Sequence, residues 1–171
     1  DETQLKAINV AMDNKVLVLT GGPGTGKTTT TLGIIRAYRE AGAKIILAAP
    51  TGRAAKRMSE VTRMEAKTIH RLLEVVYDSS GKQSFFHNER NPLKCDVLVI
   101  DEMSMVDVFI MNYLLKAIYQ GTKLVLVGDI DQLPSVGPGC VLKDLINSEK
   151  VTTIVLNKIF RQAAKSKIIV N

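Results

Sequence analysis

Tryptophan is absent from this 171-residue chain, and aromatic residues make up only 5% of it. Platforms for stacking flat rings are therefore expected to be few. Cysteine is scarce as well: Cys95 and Cys140 are the two in the chain, and they form no C-x-x-C pair. That argues against a disulfide framework or a zinc site, and for a reducing, cytoplasmic setting. No apolar run exceeds about five residues (the longest lies near 45–49), whereas a membrane span needs about twenty. The opening residues Asp-Glu-Thr-Gln lack the basic and apolar regions of a signal peptide. They also lack an initiator Met, and the chain is expected to be a piece excised from a longer one. Disorder and collagen-like repeats are excluded by 46% hydrophobic residues, 12 Gly and 5 Pro. What remains is one domain, 1–171, long enough to bury a core without a metal or disulfide staple.

Negative charge is in deficit. The net charge is +6 and the pI about 9.4, which favours a polyanionic partner. The excess is uneven. Arg53, Lys56, Arg57, Arg63, Lys67 and Arg71 face only Glu60 and Glu65, and a second stretch holds Lys158, Arg161, Lys165 and Lys167 with no acid at all. Solvated helix faces are the bland explanation.

Short apolar runs recur between helical stretches. Residues 15–20 (KVLVLT), 44–48 (KIILA), 96–100 (DVLVI) and 123–127 (KLVLV) are continuous and rich in Val, Ile and Leu, with 152–156 (TTIVL) as a fifth. Runs without polar alternation predict strands covered on both faces, hence a parallel sheet. Helices are predicted over 27–40, 53–64, 107–119 and 139–147, with Gly42 ending the first and Asp107 capping the third. Strand alternating with helix implies a doubly wound α/β sheet whose strand ends gather on one ligand-binding edge. Residues 75–87 break the rhythm and read as a small β-hairpin turning near Gly81.

Residues 21–28, GGPGTGKT, match G-x-x-x-x-G-K-S/T, directly after a predicted strand and opening a helix. Glycines let the backbone curl so that its N–H groups converge on phosphate oxygens. The helix N-terminus adds positive potential. Lys27 would reach the β- and γ-phosphates, and the Thr28 hydroxyl would ligate Mg²⁺. This pattern points to a nucleoside triphosphate.

Asp101 and Glu102 end the apolar run 97–100 and should share the edge that carries the phosphate loop. Asp101 would hold Mg²⁺, and Glu102 could act as general base toward the attacking water. The segment 123–134 repeats the design and ends in Gly-Asp-Ile-Asp-Gln-Leu-Pro. There the Gln132 amide can hydrogen-bond both the γ-phosphate and the water. A GTPase would carry N-K-x-D, but residues 157–160 read Asn-Lys-Ile-Phe. A small-molecule kinase would usually show a basic lid and no Glu directly after the Asp.

Assembled, these segments resemble the first motor domain of a superfamily 1 helicase of the RecD-like type, which includes the alpha subunit of exodeoxyribonuclease V. The likeness runs from Thr3 to about Gln162, through residues 21–30, 49–60, 66–73, 99–107, 126–139 and 156–162 in the family's order. VIDEMSMVD and LVGDIDQLPSVGPG are the most specific. The resemblance implies a RecA-like P-loop NTPase fold that uses ATP and Mg²⁺. The ATP-binding residues would be Gln4, reading adenine, with Gly22, Pro23, Gly24, Thr25, Gly26, Lys27, Thr28 and Thr29. The catalytic set would be Lys27, Asp101, Glu102, Gln132 and Arg161, the last stabilising charge at the γ-phosphate. Single-stranded DNA would be contacted by Pro50, Thr51, Gly52, Arg53, Thr68 and His70. Ser135 and Gly137 would couple the Gln132 loop to it. Taken alone, Thr51 and Thr68 are helix caps, His70 a packed or capping histidine, and Met58, Met103 and Met105 apolar filler.

A helicase of this type needs a second RecA-like domain closing over the same ATP, and only nine residues follow Gln162. The expectation is one motor half: weakly active alone, working in DNA recombination and repair with 5′–3′ translocation if the family pattern holds. The second domain of the parent chain, and helicase or nuclease subunits, would be its partners. Two alternatives stay open: a non-catalytic module that binds nucleotide or DNA alongside a partner chain, and a P-loop ATPase that remodels RNA or protein.

Overall fold

In the computed structural model, residues 2–157 are described. Eight strands and six helices form two sheets and their covering layers. The strands are β1 (Val16–Gly21), β2 (Ile45–Ala49), β3 (Ala66–Thr68), β4 (Val75–Tyr77), β5 (Gln83–Phe85), β6 (Val97–Ile100), β7 (Lys123–Gly128) and β8 (Thr152–Leu156). The helices are α1 (Glu2–Asp13), α2 (Lys27–Glu40), α3 (Gly52–Thr62), α4 (Ile69–Leu73), α5 (Val108–Ala117) and α6 (Val141–Asn147), with a 3₁₀ turn at Met103–Met105.

The main sheet has the order β3-β2-β6-β7-β1-β8, and every pairing in it is parallel. Period-2 alternation divides each central strand between two cores. Leu17, Leu19, Val97, Val99, Val125 and Val127 join α1 and α2 on one face. Val18, Leu98, Ile100, Leu124 and Leu126 join α4, α5 and α6 on the other. Both faces are covered, so the apolar runs lack polar alternation. The expected RecA-like α/β class, with a small hairpin insertion, is borne out. The hairpin is β4–β5, an antiparallel pair turning at Gly81, where the Asp78 carboxylate accepts from Ser80 and Lys82 N–H.

Local signals placed most helix ends. Asp107 accepts from Ile110 N–H at 2.8 Å and starts α5. After α2, the Gly42 N–H reaches Arg39 O and the Ala43 N–H reaches Tyr38 O, the paired bonds of a Schellman end. Besides α1 and the 3₁₀ turn, two further elements lay beyond the sequence reading. β3 has three residues and no run of its own, and exists by pairing with β2. α4 is a single five-residue stretch buried through Ile69, Leu72 and Leu73. Met58 and Met103 are core residues as expected, whereas Met105 is 43% exposed. No helix among the described residues is long and apolar enough to cross a membrane.

Candidate functional site

The loop between β1 and α2 is shaped by its own residues. Gly26 has φ 91°, in the left-handed region that disfavours any side chain, and it precedes α2 without a side-chain cap. The opening N–H groups of α2 therefore have no partner from a cap and are available to an anion. Thr25 turns its hydroxyl inward onto Gly22 O at 2.7 Å and is buried, so its side chain braces the loop. The Lys27 ammonium curls over the loop, donating to the carbonyls of Gly21 and Gly22. Thr28 and Thr29 are exposed at the mouth.

Parallel pairing of β6 with β7, and of β7 with β1, brings three strand ends to one edge. A cleft of about 660 Å³ opens there, and it gathers Lys27, Thr28, Asp101, Glu102, Gln132 and Gln4. Gly22, Pro23, Gly24, Gly26 and Thr29 line it too. Gln132 is held by its own N–H on Asp129 O at 3.2 Å. Residues that sequence reasoning did not assign to this cleft also line it: Leu32 from α2, and Arg57, Met58, Val61 and Thr62 from α3. Only the helical spacing of 57, 58, 61 and 62 could have signalled a shared face.

The acidic pair is under tension. Glu102 sits at φ 55°, ψ 42°, a left-handed conformation costing a non-glycine residue roughly 1–2 kcal/mol. Asp101 accepts the Glu102 N–H at 2.8 Å through one oxygen, and the other makes no hydrogen bond among the described residues. Burial pushes the Asp101 carboxyl above the usual carboxylate range, while the charges of Arg57 and Lys27 pull it back. Burial, then the charge of Asp101, pushes Glu102 up, and the buried Asp129 adds to this. A half-satisfied, desolvated carboxylate beside an exposed threonine hydroxyl suits a hard cation that also takes phosphate oxygens. Among the described residues, no group of three or more His, Cys, Asp or Glu could hold a metal without such help.

These shifts set a stability prediction. Because Asp101 titrates upward in the fold, the folded chain retains a proton that the unfolded chain has released. Stability therefore falls as pH climbs from the ordinary carboxylate range through the folded value. Asp101→Asn keeps an acceptor for Glu102 N–H and removes the charge. It is expected to raise the melting temperature at pH 7, by about 2–4 °C for each kcal/mol relieved. The gain should vanish near pH 3, where the wild-type carboxyl is protonated. A melting temperature lowered at pH 7 would refute this.

The segments expected to contact DNA fall into two groups. Ala49 is in register with Thr68, so Pro50–Arg53 and Thr68–His70 emerge side by side from β2 and β3. Thr51 caps α3 through Ala54 N–H at 3.2 Å, and Thr68 caps α4 through Arg71 N–H at 3.1 Å. His70 is exposed, its ring tilted against Phe85 at 6.2 Å between centroids. Ser135 and Gly137 lie two strands away, beyond β7, where a Cβ on Gly137 would fall 2.2 Å from Asp107 Oδ2. That loop is thereby seated on the segment following the acidic pair. Ser135 Oγ donates within it to Gly137 O at 3.0 Å. Arg161 lies outside the described residues, as does the basic stretch from Lys158.

Fold and cleft together define a P-loop domain of the RecA-like kind. The chain belongs to the AAA domain family, whose model matches residues 4–138. It is 43% identical over 168 residues to the ATP-dependent RecD2 DNA helicase of Deinococcus radiodurans, an overlap of 98% of this chain and 22% of that protein. It is 44% identical over 168 residues to the RecBCD enzyme subunit RecD of Mycolicibacterium smegmatis, covering 85% of this chain and 30% of that one. The crystal structure of the Pif1 helicase from Candida albicans superposes with a TM-score of 0.70 at 25% identity, over 99% of this chain and 42% of that one. The likeness to RecD-type helicases expected from the motifs is thus borne out. The chain spans between 22% and 30% of the length of those two curated relatives.

Proposed function

We propose that this chain is an ATP-binding and ATP-hydrolysing motor domain of a DNA helicase, coupling hydrolysis to movement on single-stranded DNA and to duplex unwinding. One observation carries the reading: a single cleft holds the phosphate loop with Lys27, the Asp101–Glu102 pair and Gln132 on three adjacent strand ends. The loop N–H groups and Lys27 would cradle the β- and γ-phosphates. Gln4 would present its amide to adenine. Thr28 and Asp101 would hold Mg²⁺, which when bound neutralises charge on the phosphates. Glu102 would take the proton of a water oriented by Gln132. The water oxygen bonds to the γ-phosphorus as the bond to the β-phosphate oxygen breaks, releasing ADP and phosphate.

Pro50–Arg53 with Thr68 and His70 would form the DNA track, beside the exposed cations Lys56, Lys67 and Arg71. Ser135 and Gly137 would relay the state of the Gln132 loop. A second RecA-like domain would close the nucleotide site, with Arg161 adding charge stabilisation. Polarity would be 5′–3′, and the setting DNA recombination and repair, with helicase or nuclease subunits as partners. Turnover by this chain alone would be low without the second wall.

The test is ATP turnover and nucleic-acid binding with single-stranded DNA, with RNA and with neither. DNA is expected to bind and to stimulate, with log affinity falling linearly against log salt. A response selective for RNA, or none to either, would sink the DNA reading.

A further inference from the structure

Helix α3 faces two ways. Its capped N-terminus lies at the end of β2, in the segment proposed for DNA, while its flank forms part of the nucleotide cleft through Arg57, Met58, Val61 and Thr62. Lys27 and Arg57 are the two cations lining that cleft among the described residues, against two carboxylates, Asp101 and Glu102. Arg57 forms no ion pair among the described residues, where His87–Glu74 is the pair present. It nevertheless lines the same cleft as both carboxylates. A guanidinium that shares a cleft with two acids yet pairs with neither keeps its planar fork of donors for another anion. An unpaired guanidinium in the same cleft as a phosphate loop makes that anion a phosphate.

We propose that Arg57 is a phosphate ligand of this cleft, meeting the terminal phosphate of a bound nucleoside triphosphate from within the same domain as the phosphate loop. The inference rests on the nucleotide reading of the cleft given above. Lys27, anchored at the loop, would meet the β-phosphate that ADP and ATP share as well as the γ-phosphate. Arg57, on the α3 wall beside Asp101 and Glu102, would touch the one that only ATP has. It would stabilise the charge of the terminal phosphate.

Displacement of a fluorescent nucleotide from the 171-residue chain, by ADP and by a non-hydrolysable ATP analogue, reads the difference. Arg57→Ala should weaken the analogue about tenfold to a hundredfold, the scale of a lost hydrogen bond between charged groups, and shift ADP by less than about twofold. Arg57→Lys should recover part of the loss, because the charge returns without the fork. Arg57 is exposed, so folding should survive, and circular dichroism melting checks it. Should the alanine variant fail to fold, Arg57→Gln and Arg57→Lys decide the same comparison. Equal losses for ADP and analogue, or no loss for either, would overturn the assignment. Lys27→Ala separates the two levels. If it leaves both nucleotides bound as in the wild type, the nucleotide reading of the cleft fails, rather than the role of Arg57 alone.

Discussion

Replacing Lys27 by Ala is expected to weaken ATP and ADP by at least about a hundredfold while leaving the chain folded. The ammonium is the one cation built into the phosphate loop, and its bonds to phosphates are charge-assisted, worth about 1.5–3 kcal/mol each. Two such bonds exceed the roughly 2.7 kcal/mol that a hundredfold represents. In the structure the same ammonium donates to Gly21 O and Gly22 O. Both bonds are partly rather than fully buried, so the cost to stability should stay at about 1 kcal/mol. Equilibrium binding of a fluorescent nucleotide measures the first quantity and thermal melting the second. Wild-type affinity in this variant would remove the basis for reading the loop as a nucleotide site.

Glu102→Gln should separate binding from chemistry. The amide matches the carboxyl in shape but cannot accept the proton of the attacking water. General-base contributions are typically 10²–10⁴-fold, and a loss of about that size is expected in phosphate release under single-turnover conditions, with protein in excess of ATP. Affinity for Mg²⁺-ATP should change little. The substitution also removes a charge that lies beside Asp101 and feels buried Asp129, so the variant should melt no lower than the wild type at pH 7. Undiminished phosphate release would exclude Glu102 as the base. Lost binding with unchanged melting would instead make it a ligand-positioning group.

Much of this site was legible before the fold was known, because its signals are local. The phosphate loop depends on the conformation of a few residues: Gly26 is needed where φ is 91°, and Lys27 and Thr28 follow it on the first turn of α2. Asp101 and Glu102 stand at the end of β6 because four apolar residues precede them. Asp107, Thr51 and Thr68 cap helices as hydroxyl or carboxylate residues before a helical run do.

Less legible were features made by partners distant in the chain. β3 carries only Ala-Lys-Thr, and becomes a strand because β2 offers an edge. Arg57 reads as one more cation in a basic stretch until α3 lies against the cleft. The seat of Gly137 on Asp107 joins residues 30 apart in the sequence, and no periodicity announces it.

The sequence by itself therefore determined the central strands, the longer helices that follow them, the loop chemistry and the family likeness, since backbone propensity, capping and apolar periodicity act within a few residues. The tertiary structure alone decided which chemical groups meet. The order β3-β2-β6-β7-β1-β8 differs from chain order, and hydrogen bonding between those strands, with burial on both faces, sets the acidic pair, Gln132 and Arg57 around Lys27.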